Sequence, residues 1–415
     1  AASSSFNFSH SADNSNYTGV SGLNVTSPAA ADASPQWKAY YRVVTLTGLN
    51  IANNNYYYFR WTGATVSGTT DFDEFGLDDI VMVANPSTNY ASFNGTAENF
   101  VVLGNTTLSG STAVTSDLTL NGGKVDINGK TLTLNGTVTN TTSGGLKGSA
   151  SSNLTISGAV SPSLSFDQTT FGTTNLLNNL SINTTASNTV TILNPVVVNG
   201  TLTTALGQTL NMGTNALTGT LTAIANSGTI ATQNTTSLPI PSGKTWSGTG
   251  GTINYNAASA AQTIVVGTYQ NLTSSSTGGA IAGRNLTVNE LLYLPTANPS
   301  PTVGSMTMGS YTLIMGGNAA NSGIGDVTGI VTRTSIVANT LYTFGNPYTS
   351  IIFPNIGTLP TSLSLKIAIG TAPSWRTGAI NRTYDFIQTG ASGTKAVIQA
   401  HYLDTELNGN NETKL

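Results

Sequence analysis

Apolar and polar residues alternate along this chain in short runs, cut repeatedly by Asn-Gly, Gly-Gly and Ser-Gly. The runs are rich in Val, Ile, Leu, Thr and Tyr, and a period of two sends successive side chains to opposite faces of a strand. Apolar residues at i, i+3 and i+4 are almost absent, and the helix formers Glu, Lys and Gln are scarce. The pattern predicts an all-β protein.

Three zones differ in texture. Residues 1–86 hold two longer strand candidates, Tyr40 to Leu46 and Tyr56 to Trp61, and their aromatic density predicts a jelly-roll-like β-sandwich. The Ala/Ser/Asn-rich opening stretch is expected to be incomplete or loosely held. Residues 92–325 are repetitive. Between Leu118 and Gly136, Asn121, Asn128 and Asn135 fall seven apart, each followed by glycine, with four-residue strand candidates between them. Asn and Gly tolerate positive φ, so each pair turns a corner at low cost. Three sides of this kind close a coil of about 21 residues, and stacked coils make a right-handed parallel β-solenoid. At ~4.8 Å per coil, ten or eleven coils give a rod ~50 Å long.

A longer echo overlies this period. Ile127, Met212 and Met308 are each followed closely by Gly and, five residues on, by Leu132, Leu217 and Leu313; Asn179 to Thr185 is echoed by Asn271 to Thr277. These copies predict a superrepeat of about four coils. Residues 326–415 show clearer alternation, at Gly329 to Arg333, Thr340 to Phe344, Leu363 to Ile369 and Ala396 to Tyr402, with prolines between. They predict a C-terminal β-sandwich that covers the open solenoid edge.

Composition narrows the function classes. Only 7% of residues are charged, the net charge is −3, and Thr, Ser, Asn and Gly make up about half the chain. Scattered Lys and Arg exclude nucleic acid as a partner, since phosphates must be neutralised. No run approaches the ~18 apolar residues of a membrane helix. The absence of cysteine removes disulfides, thiolate metal sites and a cysteine nucleophile. The chain begins Ala1-Ala2 and stops at Leu415 without an obvious terminus, so it reads as a processed product or part of a longer polypeptide.

Candidate chemistry is sparse. The two histidines, His10 and His401, sit at opposite ends, and no Ser-His-Asp order or metal-ligand spacing can be assembled. Glycoside hydrolysis needs two neighbouring carboxylates, yet Asp167 is the only charged residue between Lys147 and Lys244. A polysaccharide-acting enzyme is therefore not expected. The sharpest cluster is Asp71, Asp73, Glu74, Asp78 and Asp79, where several oxygens converging from one loop suit a structural Ca²⁺; turn capping and pairing with Arg42 or Arg60 is the alternative. On the strand from Tyr56 to Trp61, Tyr57, Phe59 and Trp61 share one face, expected to be core. Tyr56, Tyr58 and Arg60 share the other, the first choice for a glycan platform. Thr-X-Thr triplets such as Thr131 to Thr133 and Thr201 to Thr203 raise ice binding, but their irregular spacing argues against it. The sequons at Asn94, Asn105, Asn153 and Asn199 are of a number chance supplies.

The middle zone, with LTLNGGKVDINGKTLTLNGTVTN, GSASSNLTISG and LSFDQTTFGTTNLLNNLSINTT, resembles the repeat regions of large surface proteins of Bacteroidota exported by the type IX secretion route. DEFGLDDIVM (Asp73 to Met82) is similar to the last strand of jelly-roll or laminin-G/MAM-like modules that precede such repeats. GIVTRTSIVANTLYTFGNPYTSIIF resembles the sandwich that follows them. The resemblance implies an extracellular or cell-surface, adhesin-like protein and no catalytic residues; a C-terminal sorting domain is not seen. Together these readings predict a rigid stalk that self-assembles into fibres or filaments and whose partners are other surface proteins, copies of itself or glycans. A carbohydrate-binding module array is the alternative.

Overall fold

The structure, a computed structural model, describes residues 3–28, 40, 42–47, 49, 56–68, 75–77, 80–82, 91–140, 144–185, 187–246, 250–300 and 304–414. Strands take up 48% of the chain and helices 2%, so the protein is all-β. It divides into two compact units, Ala1–Val81 and Met82–Leu415.

In the first unit, strand Ser3–Ser11 runs antiparallel to Tyr58–Ser67 along its whole length, with the short strands Thr18–Gly19 and Val25–Thr26 on its other side. The opening residues, expected to be loose, are thus a central strand with Ser3, Ser4 and Ser5 buried. Their hydroxyls are small enough to bury: those of Ser3 and Ser5 donate to the Ser27 and Ala64 carbonyls, and the Ser4 N–H donates to the Ser27 hydroxyl. Tyr58 to Trp61 is strand as expected, but the described residues of Tyr40 to Leu46 belong to none of the strands. The described strands of this unit form a single sheet.

The second unit contains a parallel β-solenoid of about 11 turns. Lys124 pairs with Gly145, Leu176 with Val197 and Thr189 with Thr209, spacings of 21, 21 and 20 residues. The Asn-Gly pairs stand at the corners. Asn121, Asn128 and Asn135 separate strands Leu118–Leu120, Lys124–Asp126, Thr131–Leu134 and Val138–Asn140. Asn128 and Gly129 both have positive φ, 51° and 70°, the left-handed region that Asn and Gly enter most readily. At Gly136 the requirement is closeness: a Cβ there would lie 1.1 Å from the Ser116 carbonyl oxygen of the preceding coil.

Period-two alternation sends one residue in two into the bore. Along one wall Leu132, Leu154, Leu180, Leu202 and Ile224 stack in register through strands Thr131–Leu134, Asn153–Ile156, Asn179–Ile182, Thr201–Thr204 and Ala223–Asn226. Along another, Val190, Leu210, Ile230, Ile253, Leu272 and Leu292 do the same, all fully buried. Each such side chain contributes roughly 1.5–3 kcal/mol of transfer free energy. The outward positions form polar ladders: Asn179 donates from Nδ2 to Asn153 Oδ1 at 2.7 Å, and its Oδ1 accepts the Thr201 N–H at 2.7 Å.

The four-coil superrepeat does not hold. Leu132 belongs to the first ladder, whereas Leu217 pairs with Val196 in a different sheet. Likewise Asn179 pairs with Asn153 and Asn271 with Thr252, on different walls. Each echo records the common demand of a strand-corner unit, which recurs three times per coil. The Thr-X-Thr triplets are less irregular than their sequence spacing: Thr131/Thr133, Asn153/Thr155, Asn179/Ser181 and Thr201/Thr203 stand in register on one wall. The asparagines there spend their polar groups on each other and on the ladder, so the face is not a hydroxyl lattice.

Residues 326–415 continue the coil. Strand Val327–Thr334 is parallel to Met306–Met315 on one edge and antiparallel to Ser362–Ile369 on the other, which in turn pairs antiparallel with Arg382–Thr389. A second antiparallel sheet joins Leu341–Thr343, Ser350–Ile352 and Val397–Gln399. The expected strands are present, but the segment shares a compact unit and a sheet with the solenoid. The reason is the hydrogen bonds: the last parallel strand offers an unpaired edge, and an antiparallel partner satisfies it. Among the described residues no helix is long and apolar enough to cross a membrane.

Candidate functional site: a paired-charge depression on the solenoid wall

The sequence-predicted sites fall in the first unit. Asp71, Asp73, Glu74, Asp78 and Asp79 lie outside the described residues. Among the described residues no group of three or more His, Asp or Glu is placed to hold a metal ion. On the strand Tyr58–Ser67 and the residues just before it, the face split follows the expected alternation. Phe59 and Trp61 lie opposite His10 and Phe8 in register. Phe8 is buried and meets the Phe59 ring at 5.8 Å and the Trp61 ring at 4.9 Å, while His10 Nδ1 hydrogen-bonds the Tyr57 hydroxyl at 2.7 Å. On the other face Tyr56 is 79% exposed, Tyr58 is half-buried and Arg60 is exposed. The Arg60 guanidinium sits 3.5 Å over the Tyr17 ring, so this face carries a cation–π stack rather than an open aromatic plane.

The solenoid wall brings together residues that sequence reasoning kept apart. Strands Lys124–Asp126 and Gly145–Lys147 are in parallel register, which sets Lys147 beside Asp126. Leu146 bridges to Phe166 one coil further on, which brings Asp167 to the same wall. Lys124 Nζ donates to Asp167 Oδ1 at 2.8 Å and to Thr169 Oγ1 at 3.2 Å. Lys147 Nζ donates to Asp126 Oδ2 at 2.7 Å, and Asp126 Oδ1 accepts the Asn128 N–H at 3.0 Å. These four charged residues, with Asn105, Thr169 and Thr174, line a surface depression of about 280 Å³.

One wall of the depression is an insertion. Asn153 pairs with Asn179, 26 positions on, whereas the coils on either side advance by 22. The extra residues form the turn from Gln168 to Asn175. It is tied down at both ends: Thr174 Oγ1 donates to the Asp167 carbonyl at 2.8 Å, Gln168 Nε2 and Asn175 Nδ2 donate to the Pro195 carbonyl of the next coil, and the Gly172 N–H donates to Asn175 Oδ1. Asn175 is fully buried, while Phe171 at the turn is 58% exposed. Burial works to raise the Asp167 carboxyl, but the Lys124 ammonium and the two donors of Thr169 outweigh it and hold the group below the usual carboxylate value.

This geometry corrects the premise used against two neighbouring carboxylates. Asp126 and Asp167 line the same depression, because stacking joins residues one and two coil lengths apart. The missed signal was the corner period itself: 21 residues from Asp126 lies Lys147. Each carboxylate is nonetheless tied to an ammonium, and a general acid needs the opposite shift from the one seen at Asp167. Comparison with family models, with curated proteins and with solved structures returned no match to this chain, so the reading of its role rests on this geometry alone.

Proposed function

We propose that this chain is a structural, adhesin-like protein of the cell surface or extracellular space, in which the solenoid serves as a stiff, charge-poor, non-catalytic stalk. The observation that carries the reading is the pair of unbroken interior ladders, one aliphatic side chain per coil, closed at one end by antiparallel strands. A stack of about 11 coils at ~4.8 Å spans ~50 Å without a hinge. Other surface proteins or further copies of the chain are its partners in this reading, and export by the type IX route is its origin; calcium at the carboxylates between Asp71 and Asp79 would brace the first unit.

Proteolysis and localisation test it together. Exposed to a broad-specificity protease, the full chain should yield a resistant fragment that begins near Ala91 and ends beyond Thr334, and antibodies should label intact producing cells. Digestion throughout the coils, or labelling only after lysis, would overturn it. For calcium, the melting temperature should fall after chelation; an unchanged value removes the ion.

A further inference from the structure

The depression lined by Lys124, Asp126, Lys147 and Asp167 goes beyond a stalk, which needs no such feature, and the inference does not depend on the mechanical role. We infer that it is a binding site for an uncharged saccharide.

Three observations carry this. The first is preorganisation. Asp167 is only 7% exposed, and its Oδ1 accepts from Lys124 and Thr169 while its Oδ2 accepts no hydrogen bond from any described residue. A carboxylate oxygen at the wall of the depression, on a side chain fixed by three hydrogen bonds to its other oxygen and without a donor among the described residues, is an acceptor held ready for a ligand hydroxyl. The second is charge balance. Two ammonium groups face two carboxylates in 2.8 and 2.7 Å pairs, so the site has no net charge to attract a phosphate, a sulfate or a metal cation. What it offers is donors beside acceptors, the pattern that a vicinal diol, which donates and accepts at once, satisfies on both sides. The third is the inserted turn. It departs from the coil length of its neighbours, is fastened to its own coil and the next, gives Thr169 and Thr174 to the lining, and carries between them Phe171, an exposed ring of the kind that covers the C–H face of a sugar.

The test uses the full chain against an array of neutral oligosaccharides, with sulfated and uronic-acid oligosaccharides as charged counterparts, followed by titration calorimetry on the best neutral binder. Binding of a neutral saccharide is expected, with affinity nearly unchanged between low and high salt. Phe171→Ala and Lys147→Met should each weaken it about tenfold or more, with far-ultraviolet circular dichroism and melting temperature retained. Tyr58→Ala, in the other unit, should leave it unchanged. No saccharide bound, preference for the charged counterparts with steep salt dependence, or binding lost in Tyr58→Ala but kept in Phe171→Ala would each overturn the inference. Because the protease fragment and the cell labelling are read separately, failure here leaves the stalk reading standing, and the reverse.

Discussion

The stacked coils and the segment that closes them solve the same problem by opposite means. In the coils the interior is a repeating set of aliphatic side chains, and polar bonds run along the outside from one coil to the next. In the closing segment the apolar interior continues but takes in buried charges as well. Arg382 is fully buried and grips two carboxylates at once: its Nη1 and Nη2 donate to Asp326 at 3.0 and 2.8 Å, its Nε and Nη2 to Glu406 at 2.7 and 2.9 Å. Arg333, equally buried, meets no carboxylate among the described residues. Its guanidinium donates to the Gly316 and Thr343 carbonyls, and burial pushes its pKa down to about 10. A repeating wall can be extended by any coil of similar pattern, whereas an end must be unique. A charge network with one satisfactory arrangement supplies that uniqueness, at a cost in desolvation that a repeat would have to meet in every coil.

Breaking the network should have the largest effect. Arg382→Met leaves Asp326 and Glu406 buried without their cation and is expected to cost about 3–5 kcal/mol; the loss should show in hydrogen exchange over 362–406 with the coils still protected. Leu202→Ala, in the middle of an aliphatic ladder, should cost about 2–5 kcal/mol, and exchange should rise in the coils on both sides of it. Equal effects across the whole unit from both variants would erase the distinction between wall and end.

A corner sharpens the same contrast. Gly136→Ala drives a Cβ into the Ser116 carbonyl and should destabilise by about 1–3 kcal/mol of strain or more. Gly213→Ala, where a Cβ meets nothing within 4 Å although φ is +53°, should cost about 1 kcal/mol. Urea titration of the two variants reads the difference directly.

Aromatic side chains, Tyr255 and Tyr269 among them, break the aliphatic rule inside the coils. Tyr255 and Tyr269 are buried with their hydroxyls 3.3 Å apart, and Tyr269 donates to the Val265 carbonyl at 2.6 Å. Burial pushes Tyr255 up from 10 to about 12, and it raises Tyr269 well above its ordinary value too. Neutral tyrosine is therefore the form the fold prefers: the contribution is complete below pH 10 and lost as pH rises from 10 towards 12. Melting temperature should fall over that window, and less steeply in Tyr255→Phe. The smallest effect belongs to the depression. Lys124 is a third exposed, so Lys124→Met should change stability by less than about 1 kcal/mol. Asp167 has a lowered pKa, so what the pair contributes is present above the ordinary carboxylate value and lost as pH falls through the lower one.

The coil was legible because its signal is local. Asn121, Asn128 and Asn135 announce corners by φ preference, and the alternation between them announces strands. The opening strand Ser3–Ser11 was not legible, since its burial depends on Tyr58–Ser67, more than forty residues away, and serine carries no apolar signal of its own. The depression was hidden for a related reason. Lys124, Asp126, Lys147 and Asp167 look like isolated charges until the coil period lays them side by side, and coil lengths as different as 18 and 28 residues blur that period. Arg382 with Asp326 and Glu406 was beyond reach, because those partners meet only after the antiparallel strands have closed.

The central claim, a parallel stack with one strand per wall per coil, is tested most directly by spin-label distances. The chain has no cysteine, so labels at chosen outward ladder positions are unambiguous. Thr191 climbs through Asn211, Ala231, Asn254 and Thr273 to Tyr293. Double electron–electron resonance on Thr191→Cys/Thr273→Cys should give ~19 Å and on Thr191→Cys/Tyr293→Cys ~24 Å, one further coil spacing. A second wall, Thr133→Cys/Ala225→Cys, should match the first value. Distances that scatter, or that fail to grow by a coil spacing from the first pair to the second, would contradict the stack.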